Sequence, residues 1–288
     1  MNPFGVVLAV TLLLWASAFV GIRVAVEHYS PGALALIRFV IASLLLSTYM
    51  VASGRGGSLR RARRSDWLGF AALGLTGVLI YHLALNAGER TVSAGAASLL
   101  VNTTPVFTVL LAALFLGDRL NKRGVAGMAI AFSGAALVSL GANGGLTLEV
   151  GAIFVLIAAV SQAFYFIIQK DMLGRFGALE LTTVSTVCGC VMLSIFTPQL
   201  IDAVASAPRS ATLVALYLGV GPSAGAYLGW AHIVSKLSVA KAVTLLYLVP
   251  VIAYALGWLL LGETPNRLSV LGGVATIAGV ALVHRRSR

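Results

Sequence analysis

The 288-residue chain is 59% hydrophobic and only 10% charged, and its formal net charge is +11. Typical soluble domains carry about 25% charged residues, so this composition excludes an ordinary soluble fold and indicates a protein dissolved in a bilayer. The two cysteines, Cys188 and Cys190, lie two positions apart in an apolar run, on different faces of a helix. They indicate neither a disulfide nor a metal site, and we expect no metal and no cofactor.

The first apolar stretch looks at first like a secretory signal peptide. Its apolar core, Phe4 to Leu14, is followed by Ala16-Ser17-Ala18, which has the small-residue pattern of a cleavage site. However, no positive charge precedes the core, and the apolar stretch continues beyond the supposed cut to Val26. We therefore interpret it as the first membrane-spanning helix.

Hydropathy predicts further spanning helices along the rest of the chain. A helix that crosses the hydrocarbon core needs about 20 apolar residues. By this criterion the chain has ten predicted spans, with no connection long enough to hold a soluble domain. They cover residues 4–27, 32–53, 67–87, 92–116, 123–141, 150–170, 178–199, 211–233, 238–261 and 267–284.

The sequence repeats itself with a constant offset of 145 residues. A mid-span proline, a glycine-acid turn and two glycines recur at identical spacing, which indicates an internal duplication. We predict a first five-helix repeat over residues 1–145 and a second over residues 146–288. The matched pairs are Pro105 and Pro250, Gly117-Asp118 and Gly262-Glu263, Gly127 and Gly272, and Gly134 and Gly279.

The basic residues predict the orientation of the spans. With the N-terminus in the cytoplasm, three loop cations lie outside, at Arg90, Arg209 and Arg267. The positive-inside rule then places both termini in the cytoplasm, and it explains the net charge without a nucleic-acid partner. The fifteen cations of the inner loops and tail are Arg55, Arg60, Arg61, Arg63, Arg64, Arg119, Lys122, Arg123, Lys170, Arg175, Lys236, Lys241, Arg285, Arg286 and Arg288.

An odd number of spans in each repeat means that the second repeat enters the membrane upside down. Inverted repeats are a transporter architecture, with the substrate site near the midplane at the repeat interface. The sequence therefore predicts an all-α integral membrane protein. Its ten transmembrane helices form two inverted five-helix repeats around a central cavity.

Polar and aromatic side chains at mid-depth are candidates for the lining of that cavity, because polar groups facing lipid are costly. For several, an alternative stays open: Ser17 would also bond the preceding helical turn, and His82 would also fit a simple interhelical hydrogen bond. We interpret Trp67 and Trp230, nearer span ends, as interfacial aromatic residues. The predicted substrate-binding residues are Trp15, Ser17, Tyr81, His82, Asn102, Gln162, Tyr165, Tyr227 and Tyr247.

Two prolines lie near the centres of predicted spans four and nine. Pro105 and Pro250 each remove a backbone hydrogen bond and free a carbonyl. In lipid such a break is tolerated only beside protein or a cavity. We predict hinges at both positions, and static kinks are the alternative.

The acids lie outside mid-depth. Glu27, Glu89 and Glu149 are placed at outer ends, and Asp171 and Glu180 at the inner side. A proton relay through a mid-membrane carboxylate is therefore not expected. The chain also has no glycine-rich phosphate loop with its lysine and no hydrolase motif, so we predict that it is not an enzyme.

Several motifs resemble one family. Trp15-Ala16-Ser17-Ala18-Phe19, Arg38-Phe39 and the turns Leu116-Gly117-Asp118 and Leu261-Gly262-Glu263 resemble the drug/metabolite transporter superfamily, in its EamA-type branch. The resemblance covers essentially the whole chain and implies an inner-membrane exporter of small metabolites, with helices around a central cavity. The aromatic cavity residues are most similar to those of the aromatic amino acid exporters.

The resulting hypothesis is a multi-pass exporter of the bacterial inner membrane. We expect it to carry amino acids, aromatic ones by preference, through alternating access. Its partners would be the small-molecule substrate and the lipid bilayer, and the protein would be a monomer or a weak homo-oligomer. The alternatives are an exporter of other metabolites or of lipophilic cationic drugs, a channel, and a structural membrane protein that transports nothing.

Overall fold

The structure is a computed structural model that describes residues 3–115, 122–141, 150–237, 245–246, 248–264 and 266–284. All regular secondary structure in these ranges is helical. Apart from a short 3-10 turn at Gly57–Arg61, we label the helices in chain order. They are α1 (Pro3–Ala25), α2 (Pro31–Ala52), α3 (Arg64–Gly88), α4 (Ala94–Val101), α5 (Thr104–Phe115), α6 (Lys122–Gly141), α7 (Val150–Met172), α8 (Ala178–Ser206), α9 (Arg209–Lys236), α10 (Leu248–Leu261) and α11 (Arg267–His284).

Six of these helices, α1, α2, α3, α7, α8 and α9, are long and apolar enough to cross a membrane. Shorter apolar helices lie within α6, α10 and α11. The chain is therefore a multi-pass membrane protein. Most predicted spans agree with these helices to within a few residues, because long apolar runs are the strongest signal in such a sequence. The Gly117-Asp118 turn and most of residues 238–247 lie outside the described residues.

One predicted span is not a continuous helix. Residues 92–116 form α4 and α5, which are separated at Asn102 and Thr103. Pro105 explains the break, since it has no N–H to donate to the carbonyl of Val101 and its ring crowds that carbonyl. The hydroxyl of Thr104 donates to the Val101 carbonyl instead, at 2.6 Å. The sequence predicted an interruption of this span at Pro105, and the structure has the break at Asn102 and Thr103, just before the proline.

Two π-helical stretches, Leu75–Ile80 in α3 and Gly219–Ala226 in α9, interrupt the long third helix of each half. They lie at positions related by the sequence repeat. Pro222 widens the turn in α9, because a proline cannot make the regular α-helical bond. These stretches have no counterpart in the sequence-based prediction.

Helices of the first half of the chain pack mainly on helices of the second half. α1 contacts α9 and α10, α2 contacts α8 and α9, and α3 contacts α7 and α8. This interleaving places the interface between the two halves at the centre of the bundle. α6 and α11 form a separate pair at its periphery.

α6 and α11 approach each other at repeat-related glycines. A Cβ atom on Gly134 would lie 2.6 Å from the carbonyl oxygen of Gly272, and one on Gly279 would lie 2.6 Å from that of Gly127. Residue numbers rise along one helix as they fall along the other, so the pair is antiparallel. Small residues allow such close backbone contact within a membrane.

Polar clusters lie at opposite ends of the bundle, which α3 connects. At one end, the Glu263 end, Glu263 pairs with Arg23 at 3.6 Å and accepts from the backbone N–H of Ala94 at 3.1 Å. Gly262 precedes it with a φ of +68°, a conformation that favours glycine and explains the glycine of the Leu-Gly-Glu turn.

At the other end, the Asp66 end, Asp66 caps α3 and pairs with Arg175. Glu180, at the start of α8, accepts hydrogen bonds from the backbone and the hydroxyl of Ser58. The start of α3 and the start of α8 therefore lie at the same end, as the predicted topology requires.

We predict that Gly134→Ala and Gly279→Ala will each lower the free energy of unfolding by about 1–3 kcal/mol, because the added methyl meets backbone that cannot rotate away. Thermal unfolding of the purified protein in detergent checks this. Gly5→Ala is the matched control, since nothing lies within 4 Å of its Cβ position. Equal melting temperatures for all three variants would show that the α6–α11 contact is looser than described.

Candidate functional site

A cavity of about 80 Å³ lies at the centre of the bundle, where the helices of the two halves meet. Its walls are mostly apolar and come from α1, α2, α3, α4, α5, α7, α9 and α10. Most of the predicted substrate-binding residues, and both predicted hinges, lie on these walls. They are Trp15, Tyr81, His82, Pro105, Asn102, Gln162, Tyr227 and Pro250.

Three predicted residues are not among those lining residues. Ser17 hydrogen-bonds to the carbonyl of Leu14 and to the exposed hydroxyl of Tyr217, so it follows the local alternative given above. Tyr165 lies behind the wall, packed on the π stretch of α3, and its hydroxyl accepts from Gln169 at 2.8 Å. Tyr247 lies outside the described residues.

His82 and Tyr227 form one hydrogen-bonded unit between α3 and α9. The Tyr227 hydroxyl donates to the carbonyl of Gly77 at 2.8 Å, and it lies 3.0 Å from His82 Nε2. Since its proton is used on Gly77, it accepts from His82, which places the proton of a neutral His82 on Nε2. His82 Nδ1 is then an acceptor, and it is buried with no partner among the described residues.

Asn102 and Gln162 contribute unpaired amide atoms. Asn102 lies in the break between α4 and α5, and its Nδ2 donor is buried without a partner in the part of the chain that is described. The Oε1 acceptor of Gln162, on α7, is also buried and has no partner among the described residues. Buried polar groups are normally hydrogen-bonded, so these atoms are free to bind a polar ligand.

Aromatic rings close one side of the cavity. Trp15 lies 6.1 Å from Tyr227 and 5.3 Å from Trp230, and Phe166 lies 5.4 Å from Trp230, measured between ring centroids. Trp230 is only 1% exposed, so its interpretation as an interfacial residue was wrong. Its position in the sequence, near the end of a span, did not reveal that the helix face carrying it is turned inward. Trp67 is 51% exposed, as an interfacial residue would be.

A second and larger cavity, of about 910 Å³, lies at the Asp66 end of the bundle. α1, α2, α8 and α9 form its walls, with Thr11, Glu180 and His232 among the lining residues. We call it the vestibule. Thr11 on α1 and His232 on α9 line the vestibule. Trp15 and Trp230 lie on the same two helices, about one turn or less further from the Asp66 end, and thus between the vestibule and the central cavity.

The sequence interpretation assigned no binding role to Arg38. The side chain lies in α2, is 2% exposed and lines the central cavity. Its Nε donates to the hydroxyl of Ser223 in the π stretch of α9, at 3.2 Å. Its Nη1 is buried without a partner among the described residues. The signal was present in the sequence, because a charge inside a span is a functional candidate by default.

Glu89 is the second feature that sequence reasoning missed. It caps α3 at the Glu263 end, as its position predicted, but its side chain is 0% exposed. Neither carboxyl oxygen has a hydrogen-bond partner within the described ranges. Arg23 reaches the backbone instead, donating to the carbonyls of Glu89 and Arg90 at 2.7 and 2.8 Å. Arg23 therefore ties α1 to the end of α3 as well as to Glu263.

A bundle of apolar helices with a cavity at the centre, walled by both halves of the chain, is typical of a membrane transporter. Comparison with known proteins identifies the family. The model of the EamA-like transporter family matches the chain twice, over residues 3–140 and 149–285. The chain belongs to this family, and the two matches correspond to the internal repeat.

Relatives extend over nearly the whole chain. It is 41% identical over 280 residues to a probable terminal-alkyne amino-acid exporter of Streptantibioticus cattleyicolor, covering 97% of this chain and 93% of that protein. It is 36% identical to the uncharacterized transporter YdfC of Bacillus subtilis, covering 94% and 87% respectively. A solved crystal structure matches with a TM-score of 0.65 at 20% identity, covering 98% and 96%, which supports the fold alone.

We predict that Tyr227→Phe will destabilise the protein by about 1–3 kcal/mol, because it leaves the His82 N–H and the Gly77 carbonyl buried without a partner. Thermal unfolding in detergent measures the effect. The matched control is Tyr49→Phe, on a side chain that is 51% exposed. A Tyr227→Phe variant as stable as the control would mean that water or a neighbouring group replaces the lost hydroxyl.

Proposed function

We propose that this protein exports amino acids, aromatic ones by preference, across the bacterial inner membrane by alternating access. The observation that carries the proposal is the central cavity, which combines aromatic walls with unpaired neutral polar groups. It is walled by both halves of the chain, where a transporter of this kind binds its substrate.

The chemistry of the walls suits an amino acid with an aromatic side chain. Trp15 and Tyr227 present rings to the flat face of such a ligand, and good aromatic pairs contribute about 0.5–1.5 kcal/mol beyond area burial. Tyr247, next to Leu246 of the cavity wall, is a further proposed ring. Asn102 Nδ2 supplies a donor to the polar head, and Gln162 Oε1 and His82 Nδ1 supply acceptors.

The relative from Streptantibioticus cattleyicolor supports the substrate class. It is named as a probable exporter of terminal-alkyne amino acids, and it is similar to this chain over 97% of the length. Its name supports amino acids as the class of substrate. The preference for aromatic side chains rests on the rings of the cavity wall.

We further propose that ten transmembrane helices form two inverted repeats, with both termini in the cytoplasm. The charge distribution supports the orientation. The antiparallel α6–α11 pair, with its reciprocal glycine contacts, is what a two-fold axis in the membrane plane would produce. The Glu263 end is then the outer end, and the Asp66 end, with the vestibule, faces the cytoplasm.

In this orientation we propose that the described conformation is closed at the outer end and that the substrate enters through the vestibule, from the cytoplasm. Arg23 and Glu263 link α1 to the turn after α10 at the outer end, and the vestibule opens at the inner end. Alternating access requires the two closures to exchange. We propose that Pro105 and Pro250, both in the cavity wall, are the hinges of this movement.

We predict that Pro105→Ala and Pro250→Ala will each stabilise the fold and slow transport, because an alanine N–H restores a helical hydrogen bond at the hinge. Thermal unfolding and the initial rate of uptake into proteoliposomes give the two measurements. Pro198→Ala is the matched control, since Pro198 likewise lies in the first turn of a helical segment, Thr197–Ser206 at the end of α8, but is exposed and does not line the cavity. Unchanged turnover in both hinge variants would identify these prolines as static kinks.

We predict that proteoliposomes will take up tryptophan or phenylalanine faster than lysine or glutamate. Gln162→Ala and Tyr247→Ala should each weaken the tryptophan flux several-fold, because each removes a proposed contact with the ligand. Counterflow of radiolabelled amino acids is the measurement. Gln199→Ala is the matched control, since Gln199 is an exposed residue that binds Ser30 near a helix end.

The outcomes of this experiment separate the alternatives. Parent rates of tryptophan flux in both variants would place the binding site elsewhere. Faster movement of charged amino acids would contradict the substrate assignment, and transport of lipophilic cations alone would favour the multidrug alternative.

A further inference from the structure

Arg38 is the one charged side chain among the residues that line the central cavity, as far as the structure describes it. It lies about 10 Å along α2 from the outer end, at 1.5 Å per residue, and is therefore inside the membrane. A guanidinium has five N–H donors and stays charged. Its Nε donates to Ser223, and Nη1 has no partner among the described residues.

The carboxyl group of Glu89 does not pair with Nη1 of Arg38. Glu89 interacts electrostatically with Arg38. No hydrogen bond joins the two side chains, and both carboxyl oxygens of Glu89 are themselves unpaired within the described ranges. Glu89 is also not among the residues that line the cavity. Arg38 thus keeps a free donor at the cavity wall.

The geometry around Arg38 holds it ready for a ligand. The π stretch of α9 brings Ser223, which is fully buried, against the Nε edge of the guanidinium. A Cβ atom on Gly219 would lie 3.1 Å from the carbonyl of Arg38, so α2 and α9 are in close backbone contact here. Because Ser223 fixes the Nε edge of the guanidinium, the edge that carries Nη1 is available to a ligand. A carboxylate is the anion whose two oxygens match the paired N–H donors of a guanidinium.

We propose that Arg38 binds the carboxylate of the transported substrate. The Nη1 donor of Arg38 and the Nδ2 donor of Asn102 face the carboxylate, and the Gln162 Oε1 acceptor faces the ammonium group. This inference rests on the proposed function and adds a required chemical group: the ligand carries a carboxylate, and an amine with the same side chain is rejected.

The test is a ligand series on the purified, unmodified protein in detergent, with radiolabelled tryptophan as the probe. Tryptamine and tryptophanamide keep the ring and the amino group but lack the carboxylate. Indole-3-propionate keeps the carboxylate and lacks the amino group. We expect tryptamine and tryptophanamide to compete about 10- to 100-fold more weakly than tryptophan, the loss typical of a hydrogen bond to a charged group. Equal competition by tryptamine and tryptophan would overturn the proposal without any variant.

Variants assign the effect to Arg38. In Arg38→Gln the affinity for tryptophan should fall toward that for tryptamine, and the difference between the two ligands should disappear. Arg38→Lys keeps the charge without the planar fork and should retain part of the difference. Arg90→Gln removes one exposed positive charge and is the matched control, with the full difference kept. Thermal unfolding shows whether Arg38→Gln is folded. If the folded variant still prefers tryptophan to tryptamine, the assignment to Arg38 is overturned.

The ligand series also separates this inference from the proposed function. If no amino acid binds but indole-3-propionate binds in an Arg38-dependent way, the amino-acid assignment fails and the carboxylate site remains. If tryptophan binds with no dependence on Arg38, only the carboxylate site fails. If neither tryptophan nor any carboxylic acid of the series binds, both are overturned.

Discussion

The architecture of this transporter depends on one constraint, which is that a backbone polar group in a hydrocarbon environment must find a hydrogen-bond partner within the protein. The helix irregularities follow this rule. At the break before Pro105, the Thr104 hydroxyl binds the freed carbonyl of Val101. In the π stretch of α3, the carbonyls of Thr76 and Gly77 accept from the hydroxyls of Ser161 and Tyr227. Irregular backbone is therefore found beside helix contacts at the bundle interior.

The same constraint gives meaning to the atoms that remain unpaired. Hydroxyls such as those of Thr104 and Tyr227 are used within the fold, and they have no spare proton for a ligand. The amide atoms of Asn102 and Gln162 and the Nη1 of Arg38 are buried and unpaired within the described ranges. Leaving a buried donor or acceptor unpaired costs about 1–3 kcal/mol, so these atoms, together with His82 Nδ1, destabilise the protein unless a ligand or ordered water pairs them.

The sequence was sufficient to predict the helical membrane fold, because the apolar runs and the 145-residue repeat are strong signals. Most of the polar and aromatic residues that it singled out at mid-depth line the cavity, since polar groups at mid-depth avoid lipid. The sequence predicted the interruption at Pro105 but missed the π stretches, which depend on tertiary partners such as Ser161. It also placed Trp230 at the interface, because depth along a helix can be estimated from sequence, but the direction in which a side chain points cannot.

Interaction strengths indicate where the proposed movement can occur. The Arg23–Glu263 pair is 3.6 Å apart, and its side chains are 30% and 21% exposed. A pair of this kind contributes only about 0–1 kcal/mol, so the proposed opening at the Glu263 end would lose little stabilising free energy there. The α6–α11 contact, in contrast, is made backbone to backbone at four glycines, and any sliding there meets atoms that cannot rotate away. The α6–α11 pair is thus a contact that the proposed movement would keep, while the partly exposed ion pair is a contact of the Glu263 end that can separate. The proposed rocking of the halves, opening at Arg23 and Glu263, would leave the α6–α11 contact in place and make Arg38 in the cavity wall accessible from the side of the membrane at the Glu263 end.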